Sequence, residues 1–245
     1  MGRKKNPRDL IQQQFTARQA EEAAALLSER WRKNSLDTGI IKGKTVLDIG
    51  CGSGRYSHAL RKMGAKKVVG IDEGKMKRAG GAGISFKSSS LLKMPFAAGS
   101  FDFVFCNGAL SHTKRWKKGL EEANRVLRRG GWLWVSLYGK GKVWDYAEKI
   151  SGKMNFGDAE NFTRFLLLRD WEPNKIFFLL DSFFSGGRVY FTRKQAESEL
   201  RKAGFVKIEF LRRGTGRDLN EKIFRNPKLK KIYGEGELRF IAQKK

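Results

Sequence analysis

The chain of 245 residues is long enough for one large domain, or one domain with a smaller attachment, and a hydrophobic content of 40% supplies a core. With 28 glycines, only 4 prolines and no long apolar run, the composition excludes a disordered, fibrous or membrane-spanning chain, and two cysteines exclude a disulfide framework or a cysteine-rich zinc site. The 51 Lys and Arg against 25 Asp and Glu leave a net charge of +26, spread as +9, +8 and +9 over residues 1–70, 71–150 and 151–245, which admits a polyanionic partner such as nucleic acid without marking a dedicated basic arm.

Residues 10–33 carry Ile11, Phe15, Ala20, Ala23, Ala24, Leu27 and Trp31 at helical spacing with one break near Gln19, which predicts an amphipathic helical cover over residues 1–40. The basic N-terminus runs into glutamines rather than an apolar stretch, so it does not read as a secretory signal and the default location is cytoplasmic. Next come an apolar run at 45–49, a glycine cluster, a helical stretch at 55–63, a run at 67–71, a short helical piece near Met76 and a run at 84–87. That alternation predicts βαβαβ and a parallel sheet. It resumes with a strand at 101–106, a helix at 116–128 stopped by Gly130 and Gly131, and a strand at 132–138, closing a core over 41–141. Residues 142–190 interrupt it with helical stretches rich in Phe, Leu and Trp, an inserted cap. Thr192 and Gln195 form a capping box before a helix ending at Gly204, and strands at 205–211 and 237–242, the latter after a turn at Gly234 and Gly236, complete the sheet within 191–245.

The segment Val46-Leu47-Asp48-Ile49-Gly50-Cys51-Gly52-Ser53-Gly54 is an apolar strand running into a glycine loop and then a helix. A dinucleotide loop has glycine at its first, third and sixth positions; here the sixth is Arg55, which disfavours a nicotinamide dehydrogenase. Glycines alternating over five positions, with Asp48 in the strand before them, suit a ligand that has no phosphate and a cationic amino-acid end, the ammonium drawn to Asp48 directly or through water. Asp72 closes the second strand, where a carboxylate accepts two hydrogen bonds from a ribose diol. A nucleoside joined to an amino acid points to S-adenosyl-L-methionine.

Three further stretches follow in order: Met94-Pro95-Phe96 with Gly99-Ser100-Phe101-Asp102-Phe103-Val104, then Asn107-Gly108-Ala109-Leu110-Ser111-His112, then Glu122-Ala123-Asn124-Arg125-Val126-Leu127-Arg128-Arg129-Gly130-Gly131. With the glycine loop they span residues 44–138, and there the sequence resembles the class I S-adenosylmethionine-dependent methyltransferases, in the type 11 subgroup related to the ubiquinone and menaquinone biosynthesis enzymes. The resemblance implies a Rossmann-like, seven-stranded, mostly parallel sheet flanked by helices, S-adenosyl-L-methionine as cofactor and no metal. It implies a cofactor site of Asp48, Gly50, Cys51, Gly52, Gly54, Asp72, Ser90, Leu91 and Asn107. Two departures bear on cofactor affinity. Ser90 stands where the family usually has an acidic residue for the adenine amino group, and the turn from Glu73 to Met76 is one residue short. They motivate an alternative, a nucleic-acid-binding or scaffold protein with a degenerate methyltransferase domain.

Methyl transfer requires alignment more than acid or base, but a hydroxyl or carbon-acid acceptor needs a proton acceptor. His112, beyond the fourth strand, is the candidate base, against a role in shaping its loop; Tyr138 ends the fifth strand facing the acceptor side. His58 reads as a surface or packing residue, and Cys51 and Cys106, ending neighbouring strands, as small buried thiols rather than a redox switch. The aromatics of 162–184 form the core of the cap or an acceptor pocket. Lys114, Arg115, Lys117 and Lys118 are a solvated helix start or a phosphate site. The resemblance favours a small metabolite as acceptor, and the charge favours tRNA or rRNA; no motif names the acceptor atom or the oligomeric state.

Overall fold

The apolar runs assemble into one sheet. The computed structural model describes residues 17–74, 80–151, 187–216 and 218–245, with isolated positions between 152 and 186. The strands are β1 (Thr45–Ile49), β2 (Lys67–Asp72), β3 (Ile84–Ser88), β4 (Phe101–Asn107), β5 (Leu127–Tyr138), β6 (Phe205–Phe210) and β7 (Glu237–Lys244). The helices are α1 (Ala17–Lys33), α2 (Arg55–Lys62), α3 (Trp116–Val126), α4 (Lys142–Ser151), α5 (Arg193–Lys202), α6 (Leu219–Arg225) and α7 (Pro227–Tyr233). The sheet order is β3-β2-β1-β4-β5-β7-β6, with only β7 reversed against its neighbours, so the expected α/β, seven-stranded, mostly parallel architecture is present.

Strand alternation divides the core into two layers. Val46, Val68, Phe103, Phe105, Trp134 and Ile241 face α1 and α2, while Leu47, Ile49, Val104, Val135 and Phe240 face α3 and α5 through Leu120, Ala123, Val126, Ala196 and Leu200. Trp31 of α1 stacks on Trp134 at 4.7 Å between ring centroids and an interplanar angle of 11°. The N-terminal helix is therefore a packing layer on the sheet, with Ala20, Ala23, Leu27 and Trp31 inward. Ile11 and Phe15 lie outside the described residues, as do the piece near Met76 and most of the cap beyond α4.

Two sequence expectations are corrected. The helix expected over 116–128 stops at Val126, because buried Leu127 adopts an extended backbone and pairs with Phe101 at the start of β5. Gly130 (φ +73°) and Gly131 then serve the irregular step to the Phe103–Trp132 pairing, not a helix cap. Second, α6 and α7 are helices the periodicity did not predict. Each has only 7 residues, too few for an apolar stripe, although Asn226 accepting from the Lys228 and Leu229 N–H groups before Pro227 is a helix-start signal. The capping box of Thr192 and Gln195 forms with both bonds in place.

A buried charge network ties the C-terminal segments to α1. The Arg30 guanidinium, 6% exposed, donates to both Asp218 carboxylate oxygens at 3.1 and 2.8 Å. Arg239 of β7, 1% exposed, pairs with Asp218 at 3.1 Å and with Glu237, which accepts the Ser136 hydroxyl at 2.5 Å. Burial pushes the Asp218 carboxyl upward, but the Arg30 hydrogen bond and the Arg239 charge outweigh it and hold it down at about 2, against an ordinary 3.8. Replacing Arg30 with Ala removes two buried charge-assisted hydrogen bonds and leaves Asp218 to Arg239 and the Thr215 N–H, and we expect urea denaturation to show a loss of about 2 kcal/mol. Because the folded value lies below the unfolded one, the Asp218 contribution is present in full above about pH 4 and is lost as pH falls through about 2. Melting temperatures from pH 6 to 2 should fall less steeply in Asp218→Asn than in the wild type.

Candidate active site

The parallel pairing of β1 with β4, Ile49 beside Cys106, makes the loop after β1 and the turn after β4 leave the sheet side by side. Gly50 and Cys51 both donate to the Ile71 carbonyl, at 2.8 and 3.0 Å. Gly50 (φ +70°) also has no room for a side chain, since a Cβ there would lie 2.5 Å from that of Ala109 in the turn after β4. Gly54 (φ +89°) opens α2 against the Phe86 ring, which a Cβ would meet at 2.6 Å. Asp72 accepts the Gly52 N–H on one oxygen at 3.0 Å and the Gly74 N–H on the other at 2.8 Å. The clamp joins the loop after β1 to the turn after β2.

Asp48 lies beneath the loop at 1% exposure and accepts the Ser57 hydroxyl of α2 at 2.6 Å. It thereby ties the end of β1 to the first turn of α2. Asn107, the last residue of β4, holds a buried side-chain oxygen that accepts no hydrogen bond among the described residues. Ser89 donates its N–H to the Asp72 carbonyl at 3.1 Å, which sets the following Ser90 beside the end of β2; the Ser90 hydroxyl accepts the Leu92 N–H at 3.2 Å. The Leu91 side chain packs onto Gly119 of α3.

Two motifs read as separate stretches interlock. Glu122 accepts the Met94 N–H at 2.8 Å, and Arg125, held by Glu122 at 2.7 and 2.8 Å, donates to the Phe96 and Met94 carbonyls at 2.7 and 3.0 Å. The Arg125 hydrogen bond keeps the Glu122 carboxyl below the usual carboxylate range against the opposing effect of burial. This pair fixes the 94–96 loop on α3.

Beyond β4 and β5 the structure joins the two acceptor-side candidates. The His112 Nε2 and Tyr138 hydroxyl share a hydrogen bond of 3.3 Å, the rings nearly perpendicular with centroids 5.4 Å apart. Tyr138 is held through its N–H to the Ser111 hydroxyl at 3.0 Å, and the Arg188 guanidinium stands 4.9 Å over its ring. Sequence reasoning missed Arg188, whose partner Tyr138 is distant along the chain, the bond from Ser57 to Asp48 across the glycine loop, and the contact of Ala109 with Gly50. His58 packs beside Phe86 at 6.3 Å. Lys114, Arg115, Lys117 and Lys118 are exposed, Lys117 paired with Glu199 and Lys118 with Glu121, as a solvated helix start would be. The aromatics of 162–184, apart from Phe165, lie outside the described residues.

Residues 47–135 match the methyltransferase domain family. Over those residues the chain is similar to methyltransferase domains. Demethylmenaquinone methyltransferases from two Staphylococcus aureus strains, MRSA252 and JH9, are 34% identical to it over 111 residues, covering 41% of this chain and 46% of theirs, so the match spans about half the length of these curated relatives. Among solved structures, the S-adenosylmethionine-dependent methyltransferase of Mesorhizobium loti superposes with a TM-score of 0.52 at 16% identity, over 84% of this chain and 93% of that one. The Burkholderia thailandensis 1,6-didemethyltoxoflavin-N1-methyltransferase, solved with 1,6-didemethyltoxoflavin and S-adenosylhomocysteine, gives 0.53 at 16% identity over 92% and 78%. A methyltransferase complexed with the Haloferax volcanii Trm112 activator gives 0.53 at 16% over 91% and 93%. These likenesses show the fold.

Both cysteines are buried as free thiols at the base of the site. Burial, outweighing hydrogen bonds from the Leu110 and Ala109 backbone, pushes the Cys106 thiol up to about 12. A thiol-reactive disulfide reagent at pH 8 should label Cys106 only after denaturation; rapid native labelling, resolved by mass spectrometry, would contradict its inert assignment.

Proposed function

We propose that this chain is an S-adenosyl-L-methionine-dependent methyltransferase. The observation that carries the reading is the convergence, on one sheet edge, of the pinned glycine loop, the Asp72 carboxylate that clamps it and the buried Asn107 oxygen that accepts no hydrogen bond among the described residues. That donor and acceptor set fits the cofactor. Asp72 takes the ribose diol, the glycine loop and Asn107 take the amino-acid end with Asp48 beneath them, and Ser90 and the Leu91 backbone take the adenine edge. When bound, the cofactor supplies a methyl group on a sulfonium, an already activated leaving group for in-line displacement. The chain's own part is to hold the acceptor in line and keep water out. For a hydroxyl or carbon-acid acceptor, the His112–Tyr138 pair receives the proton, at His112 Nε2 or relayed through the Tyr138 hydroxyl.

The same reading divides the chain into an N-terminal helical cover at 1–40, the cofactor core at 41–141, a cap at 142–190 that selects the acceptor, and the completing strands at 191–245. The quinone-modifying and toxoflavin-modifying relatives support a small acceptor, and the basic surface supports RNA. Among the described residues no helix is long and apolar enough to cross a membrane, and we place the protein in the cytoplasm.

Calorimetric titration tests the assignment. We expect micromolar binding of S-adenosylmethionine and S-adenosylhomocysteine and none of NAD, with affinity at least tenfold weaker in Asp72→Ala and severely weakened in Asp48→Ala. Unchanged affinity in Asp48→Ala, or no adenosyl binding by the wild type, would overturn the reading in favour of a scaffold with a degenerate domain. Gly50→Ala should abolish binding while far-ultraviolet circular dichroism stays native.

A further inference from the structure

The even spread of charge along the sequence conceals an uneven surface. Within residues 211–233, eight of 23 residues are Lys or Arg and two are acidic, more than twice the net positive charge per residue of the whole chain. Both acids are committed internally. Asp218 is buried between Arg30 and Arg239, and Glu221 accepts the Gly214 N–H at 2.7 Å while lying 3.6 Å from Arg225. Lys222, Lys228, Lys230 and Lys231 are exposed and have no ion-pair partner among the described residues; the same is true of Lys140 and Lys142, where the chain leaves β5.

This surface adjoins the acceptor side of the site. The Glu235 N–H donates to the Lys140 carbonyl at 2.9 Å, and Gly141 packs on the Tyr233 backbone so closely that a Cβ there would meet its carbonyl oxygen at 2.3 Å. Tyr233 of α7 meets Trp144 of α4 at 6.3 Å, Trp144 stacks on Tyr190 at 6.4 Å and 14°, and Tyr190 lies 6.4 Å from Tyr138. A file of half-buried aromatic rings thus leads from the basic helices to the hydroxyl that His112 holds. Cations that follow a phosphate backbone, beside π-faces on which unpaired bases stack, are the two components of single-strand recognition.

We infer that α6, α7 and the start of α4 form a docking surface for a single-stranded segment of RNA, which delivers an unpaired base to the acceptor side. Unpaired loops and ends are the usual targets of RNA-binding surfaces because their bases can splay out and stack. A lipid surface fits less well. The cations sit on three separate elements, and Ile232 is the one large apolar side chain exposed on α7. The inference rests on the methyltransferase reading and names the substrate class of that site.

The test is fluorescence anisotropy of the full-length protein with a labelled unstructured RNA 20-mer across a salt series, beside S-adenosylhomocysteine calorimetry on the same preparations. The triple variant Lys222→Glu, Lys228→Glu, Lys231→Glu should bind RNA at least tenfold more weakly and lower the log–log salt slope by about 2, at about 0.7 per lost single-strand phosphate contact. A control with equal charge change at the opposite sheet edge, Lys42→Glu, Lys44→Glu, Lys66→Glu, should keep wild-type RNA affinity within twofold. Equal losses in the two triples, or no RNA binding by a wild type that binds S-adenosylhomocysteine, would overturn the docking surface and leave the methyltransferase reading standing. Binding to phosphatidylglycerol vesicles without RNA binding would overturn it in favour of a membrane surface. RNA binding without S-adenosylhomocysteine binding would overturn the acceptor assignment together with the methyltransferase reading.

Discussion

Asp72 accepts one backbone N–H on each carboxylate oxygen, from Gly52 and Gly74, and so couples the loop after β1 to the loop after β2. A loop with glycine at positions 50, 52 and 54 has no side-chain packing to define its shape, and left alone it would retain much of glycine's conformational freedom. It is set instead by bonds from outside: Asp72, the Ile71 carbonyl accepting from Gly50 and Cys51, and contact with Ala109. The first two lie at the end of β2 and the third just beyond β4. The parallel register of β2, β1 and β4 is therefore the precondition of the site, and the interleaved core on both sheet faces holds that register.

In a chain with half as many acids as bases, several carboxylates are engaged inside the structure. Asp102 accepts the Thr45 N–H at the foot of β1 and pairs with Arg128; Glu122 secures Met94 and Arg125; Asp48 anchors Ser57; Asp218 and Glu237 hold Arg30 and Arg239. Several of these bonds join segments remote in sequence, and most of these carboxylates are withdrawn from the surface. One consequence is electrostatic. With acids drawn inward, the outer faces of α6 and α7 keep their lysines unneutralised, and a positive field develops beside the acceptor edge.

Strand periodicity, glycine positions and helix caps are local properties, so they could be read along the chain. The runs at 45–49, 67–71, 84–87 and 101–106 match β1 to β4 to within one residue, and the capping box at Thr192 is present as read. Failures occurred where a local signal met a stronger non-local one. Gly130 and Gly131 suggest a helix stop, yet burial of Leu127 beside Phe101 ends α3 earlier. The segments of α6 and α7 are too short for a readable stripe and are secured by contacts that sequence spacing does not show, such as Asp218 with Arg30 across 188 positions.

For the site, the glycine loop and its two acids were legible because their chemistry depends on neighbours one or a few positions away in the strand and turn. What each acid does was decided by tertiary structure. Asp48 is buried under the loop, held by Ser57, and Leu91 is directed onto Gly119 of α3. His112 and Tyr138, 26 positions apart, meet only because β4 and β5 are paired in parallel and end at one edge. The sequence by itself thus determined the fold class and the methyltransferase signature, since both rest on short-range pattern. Tertiary structure alone decided which side chains converge, which charges cancel and where positive charge remains, because those depend on distances set by packing rather than by spacing along the chain.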